Sequence, residues 1–166
     1  MGIDNLYNKE AKDKIRDLAK DIDFCMMATN LSNIPFHAIP MSTKKVDEQG
    51  NVWFLSGRES DHNKNIQKDS QTQLIYSDAS DMKFMKLYGH STITDDKSIL
   101  KDLYGKTDDN WFDGLDDPSL TAIKFAPKEA HYWEPKHGKF ISLIKMGIGA
   151  ITGNQPDISE EGHIKP

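Results

Sequence analysis

Short apolar stretches separated by turn residues recur from residue 24 to residue 133, and only a few helical patterns interrupt them. This rhythm constrains the fold more than any single motif does. Phe24–Thr29 reads as a buried strand, and the turn residues of 30–35 lead into a second strand at 36–43 that should pair with it as a hairpin. Further strands are expected at 52–55, 73–77, 84–94, 120–126 and 129–133, the last two parted by Pro127. In 84–94, Phe84, Lys86 and Tyr88 alternate with Met85, Leu87 and Gly89, which gives the strand two differently used faces. Helices are expected at Asn8–Ile22, where Ile15, Leu18, Ala19 and Ile22 follow the spacing of one apolar face, at Asp61–Lys68 with Ser60 as its cap, and at 95–104. Strands and helices do not alternate regularly, so a doubly wound parallel sheet is excluded. The pattern predicts an α+β, mostly β chain, an antiparallel barrel with peripheral helices.

The 166 residues suit one domain, and a chain of this size buries roughly 70% of its unfolded surface. Its extent is expected to be 1–153, with 154–166 as a flexible tail. No apolar run approaches the roughly 20 residues of a membrane helix, and the charged start of the chain does not resemble an export signal, so a cytoplasmic protein is expected. The net charge of −5 argues against a nucleic-acid surface. Arg16 and Arg58 are the only arginines, so an anion would depend on lysine, histidine, hydroxyls or backbone amides. Cys25, the single cysteine, lies in an apolar stretch and is expected to be a buried, inert thiol.

The segment from Ile34 to Ile66 gathers donors and cations. A strand ending in Ser42, Thr43, Lys44 and Lys45 is expected to pair, through a turn at Asp47 to Asn51, with a strand that runs into Ser60, Asp61, His62, Asn63 and Lys64. A helix start offers free amides and a partial positive charge, which suits a phosphate monoester. A capped surface helix with solvated lysines accounts for the same residues. Trp53, Trp111 and Trp133, with Tyr132 beside the last, could wall a planar cofactor or simply fill the core. Other signals fail. The glycines of 147–153 miss the dinucleotide spacing, the six histidines show no metal-ligand spacing, no nucleophile elbow is present, and the aspartates of 108–117 lack EF-hand periodicity and read as a solvated loop.

The order of these segments resembles the pyridoxamine 5'-phosphate oxidase-like FMN-binding split-barrel proteins, in particular their general stress protein branch. The resemblance spans about Lys14 to Trp133. It rests on Pro40-Met41, on Gly50 to Phe54, on Ser60 to Ile66, on Gln73 to Tyr76, on Phe84 to Gly89, on Trp111-Phe112 to Asp117-Pro118, and on Ala130 to Trp133. It implies a split β-barrel, a homodimer with FMN at its interface, and a strand with Ile39, Pro40, Met41 and Ser42 passing along the flavin. Lys44 would supply a cationic contact, and Leu55 and Ser56 would lie near the ribityl chain or phosphate. Ser60, His62 and Lys64 would fall on the phosphate helix, with Trp133 as an aromatic flavin contact. In two places the chain departs from the family pattern. Ile39 stands where many relatives carry a phosphate-binding arginine, and 134–139 lacks the Arg-x-His substrate motif of pyridoxamine phosphate oxidases, so vitamin B6 oxidation is not expected. The resemblance thus implies a flavin oxidoreductase of unknown substrate and electron donor, with a non-catalytic flavin-binding stress module and a dimer with a vestigial site as the alternatives.

Overall fold

A computed structural model describes residues 2–135 and 159–165. Nine strands, β1 (Gly2–Tyr7), β2 (Phe24–Thr29), β3 (His37–Ser42), β4 (Lys45–Val46), β5 (Val52–Gly57), β6 (Gln71–Asp78), β7 (Lys83–Thr94), β8 (Leu120–Pro135) and β9 (Ser159–Lys165), join in one sheet. Helices α1 (Asn8–Ile22), α2 (Asp61–Lys68) and α3 (Lys97–Leu103) and a short 3-10 turn, η1 (Lys106–Asn110), pack around it. The expected split barrel is present. Its circuit runs β2–β6–β7–β8–β5 through antiparallel ladders and returns from β5 to β4. From β4 it passes through Thr43 and Lys44 into β3, which pairs with β2.

The strand 36–43 therefore does two jobs. Its first part pairs with β2, as expected, whereas pairing with β5 is confined to Lys45 opposite Trp53, Val46 opposite Val52, and the Lys44 amide donating to the Trp53 carbonyl at 2.9 Å. The chain bends at Thr43 because the end of α1 holds it there. Asp23, in the left-handed region at φ 67, accepts from the Thr43 amide at 3.1 Å and from the Ser42 hydroxyl at 3.0 Å.

The barrel interior is filled by Met27, Phe54, Leu74, Tyr76, Leu87, Ile123, Phe125 and Tyr132, and α1 contributes Ala11, Ile15, Leu18 and Ala19 from its single apolar face. A second cluster lies outside β5 and β8, where Leu100 and Leu103 of α3 meet Trp53, Leu55, Leu120, Phe112 and Leu115.

Two expectations are corrected. Pro127 does not divide two strands: β8 continues through it because a bulge puts Tyr88 opposite Glu129 and Gly89 opposite Pro127, so a residue without an amide hydrogen costs no regular rung there. Gly89 belongs to the same device. A Cβ on it would lie 2.1 Å from the Ala126 carbonyl oxygen, so the position requires glycine for close backbone approach. Within the expected tail, residues 159–165 form β9, which pairs with β8 on one side and in parallel with β1 on the other. Main-chain pairing and the fully buried Ile164 hold a segment whose other side chains carry no strand signal. The glycine-bearing stretch 147–153, most of 134–139 and 154–158 lie outside the described residues.

Candidate functional site

β3 presents two faces. Ile39 opposite Met27 and Met41 opposite Cys25 pack against the main core, while Ala38 and Pro40 are exposed on the outer face, Pro40 opposite the exposed Met26. Ile39 is thus a core-packing side chain in this strand. Cys25 is buried as expected, and burial pushes its thiol up to about 12 despite a hydrogen bond with Tyr76, whose hydroxyl lies 2.7 Å from that of Thr43.

Lys44 leaves the β3–β4 corner toward η1. Its ammonium donates to Asp108 at 2.7 Å, and the two side chains are only 19% and 13% exposed. The same carboxylate oxygen accepts from the Gly105 amide at 2.8 Å. Asp108 is therefore not part of a solvated loop, although Trp111, three residues on, is 82% exposed. Trp53 is a structural residue: its indole N–H donates to Asp47 at 2.8 Å and its ring joins the α3 cluster. Burial tends to raise the Asp47 carboxyl, but donors from Trp53, Asn51 and Gln49 outweigh it and hold it below the usual range.

The end of β5 and the start of α2 are tied by a buried network. Thr121 Oγ1 donates to the Ser56 carbonyl at 2.9 Å, accepts from the Ser56 hydroxyl at 2.8 Å, and accepts from Asn63 Nδ2 at 2.9 Å. Ser56 is consequently committed to the fold, and Leu55, one residue earlier, faces the α3 cluster. Ser60 caps α2 as expected, its hydroxyl accepting from the Asn63 amide at 3.3 Å. The Asp61 and His62 amides stand at the helix start, where no intrahelical acceptor exists. Lys64 is exposed and lies 3.7 Å from Glu59.

His62 stacks with His37 at the start of β3, ring centroids 6.4 Å apart and planes 20° from parallel. His37 Nδ1, His62 Nε2 and Asn63 Oδ1 are buried without a partner. Burial, and next the proximity of His37, pull His62 below its ordinary value, with Asp61 opposing. The structure thus brings the start of β3, at His37, together with His62 and its neighbour Ser60, whereas Lys44 lies past the other end of β3.

Trp133 is elsewhere. One rung of the outer sheet face runs Pro40, Met26, Ile75, Lys86, His131 across five strands, and Trp133 lies two residues beyond His131 on that face, its ring tilted against His131 at 4.4 Å. Four strand spacings of about 4.8 Å separate β3 from β8 along this path. The β3 end of the face is apolar and open, with Phe24, Met26, Phe36 and Ile75 exposed.

His37, Asn63, Thr121 and Asp108 were not singled out by sequence as site residues. His37, next to an apolar strand start, was the one with a readable signal. The others depend on contacts 58 to 65 residues away in the chain.

Among the described residues no group of three or more histidine, cysteine or carboxylate side chains is placed to hold a metal, and no helix is long and apolar enough to cross a membrane. A family model described as pyridoxamine 5'-phosphate oxidase like matches residues 10–157. No curated protein sequence matches the chain. Among solved structures, the chain is similar to one from Jannaschia sp. CCS1 named for general stress protein 26, at 22% identity over 94% of this chain and 98% of that one, with a TM-score of 0.75. The general stress protein 26 of Bacillus anthracis str. Sterne aligns at 18% identity over 73% and 92% of the two chains, TM-score 0.65. A general stress FMN/FAD binding protein from Xanthomonas citri aligns at 19% over 76% and 90%, TM-score 0.65.

Proposed function

The chain belongs to the pyridoxamine 5'-phosphate oxidase-like family, and from that premise we propose that it is a cytoplasmic homodimer that binds FMN and acts as a flavin oxidoreductase on a small molecule. The observation that carries this reading is the open apolar face of β2, β3 and β6. Phe24, Met26, Phe36 and Ile75 together make a contiguous exposed patch of the kind that marks an interface. A second copy packed there brings its own outer face toward β3, which supplies an aromatic wall from Trp133 that one chain alone places too far away.

The residues fit a flavin. Pro40 and Met26 offer flat apolar surface beside β3, and the His37 and His62 rings with the free amides of α2 offer donors at its end. When bound, FMN would supply hydride transfer. The chain orients the ring against β3, keeps water from the sheet face once a partner covers it, and places donors at the α2 end. The name of the Xanthomonas citri protein adds support for a flavin in this branch.

A second reading has its own observation. Lys44, Lys64 and Arg58 are each matched to a carboxylate, which leaves no evident acid or base for catalysis among them and favours a non-catalytic flavin-binding module. Purified protein should carry flavin absorbance, and mass measurement should identify FMN; a colourless protein that takes up no flavin sinks both readings. Bleaching by a reduced nicotinamide followed by multiple turnovers with an acceptor supports the enzyme, and flavin that binds without turnover supports the module.

A further inference from the structure

Lys44 lies past the far end of β3 from His37, and both it and the cations nearer the start of α2 are already matched to carboxylates. Lys44 is held by Asp108 at 2.7 Å in a mostly buried pair, Arg58 reaches Asp95 at 3.1 Å and the Pro118 carbonyl at 2.9 Å, and Lys64 has Glu59 at 3.7 Å. Ile39 and Met41 turn into the core. What remains for a ligand is the helix-start amides and the paired rings of His37 and His62. The exposed Lys64 pair is weak and adds little either way. The Lys44 pair is different, because separating it leaves a carboxylate uncompensated in a partly buried place.

A phosphate monoester carries between one and two negative charges near neutrality, its second pKa lying at about 6. At this site it meets donors but little net positive charge. We propose that the flavin site, taken as read above, selects its ligand by the ring and ribityl chain rather than by the phosphate, accepting riboflavin and FMN with similar affinity near pH 8 and favouring FMN only as His62, stacked on His37, takes up a proton.

The neighbouring groups are consistent with such a proton dependence. On α2, Asp61 favours a charged His62, and the Lys64–Glu59 pair is balanced. From β2, Thr29 meets α2 as an uncharged acceptor for Asn65, and from β7, His90 is bonded to the Ser70 hydroxyl beyond the other end of the helix. Arg58 and Asp95 offset one another.

The test titrates the full-length protein with riboflavin and with FMN, following flavin fluorescence, at about pH 8 and about pH 6. The expected ratio of riboflavin to FMN dissociation constants is below about tenfold at the higher pH and rises at least about threefold at the lower, each tenfold being worth 1.4 kcal/mol. His37→Gln with His62→Gln should abolish the rise at low pH and so separate it from titration of the phosphate itself. A ratio of about tenfold or more at pH 8, or one that does not change with pH, overturns the proposal while leaving the flavin reading intact. Failure to bind either flavin sinks both.

Discussion

A methyl group at position 89 has nowhere to go, since the Ala126 carbonyl oxygen would be 2.1 Å away and belongs to the backbone of the bulge. Gly89→Ala is therefore expected to cost about 2–4 kcal/mol or to prevent folding, because β7 or β8 must move to admit it. Denaturant unfolding reads this directly, and an unchanged midpoint would mean that the bulge is not built this way. His62 makes a pH-dependent contribution whose sign follows from its lowered value. The unfolded ring, with a pKa of about 6.5, binds a proton before the folded one does, so stability from the neutral, half-buried ring is full above that pH and lost as pH falls through the folded value. Between about pH 7.5 and 5 the wild type should lose more stability than His62→Gln; equal losses would place the acid sensitivity elsewhere.

At the scale of elements, α2 is fastened to the barrel through Thr121, which answers both Ser56 and Asn63. Thr121→Val keeps the shape and the ladder but leaves the Ser56 hydroxyl and the Asn63 side-chain amide without their acceptor in a buried place, an expected loss of about 2–4 kcal/mol by thermal or denaturant unfolding. Below about 0.5 kcal/mol the network would be ornamental. Elements with local signals were readable: α1, β2 and α2 form at the residues expected, because one-faced periodicity, an apolar run and a serine cap all act within a few positions. Elements defined by distant partners were not. The β3–β4 bend needs Asp23, the passage of β8 through Pro127 needs Gly89, and β9 needs β8 and β1. The site divides the same way, with Ser60 and the α2 start evident in the sequence and the Lys44–Asp108 pair, 64 residues apart, visible only once α3 and η1 are packed.

For the whole molecule the open apolar face decides the assembly. Replacing Met26 and Ile75, which share one rung, by lysine places two charges where a second copy would pack. Wild-type protein should elute near twice its 18.8 kDa chain mass and the Met26→Lys, Ile75→Lys variant near that mass, with flavin binding weakened in step. A variant that remains dimeric would move the interface off this face. The remaining consequence concerns time. β1 pairs with β9 alone among the described strands, Gly2 meeting Glu160 and Tyr7 meeting Lys165, so its ladder closes a loop that contains the entire barrel. Such a contact yields nothing until the intervening chain is ordered, and contacts of this span slow folding more than they add to stability. The β1–β9 ladder is therefore expected to form after the barrel, and pulse-labelled hydrogen exchange during refolding should find the amides of 2–7 protected last.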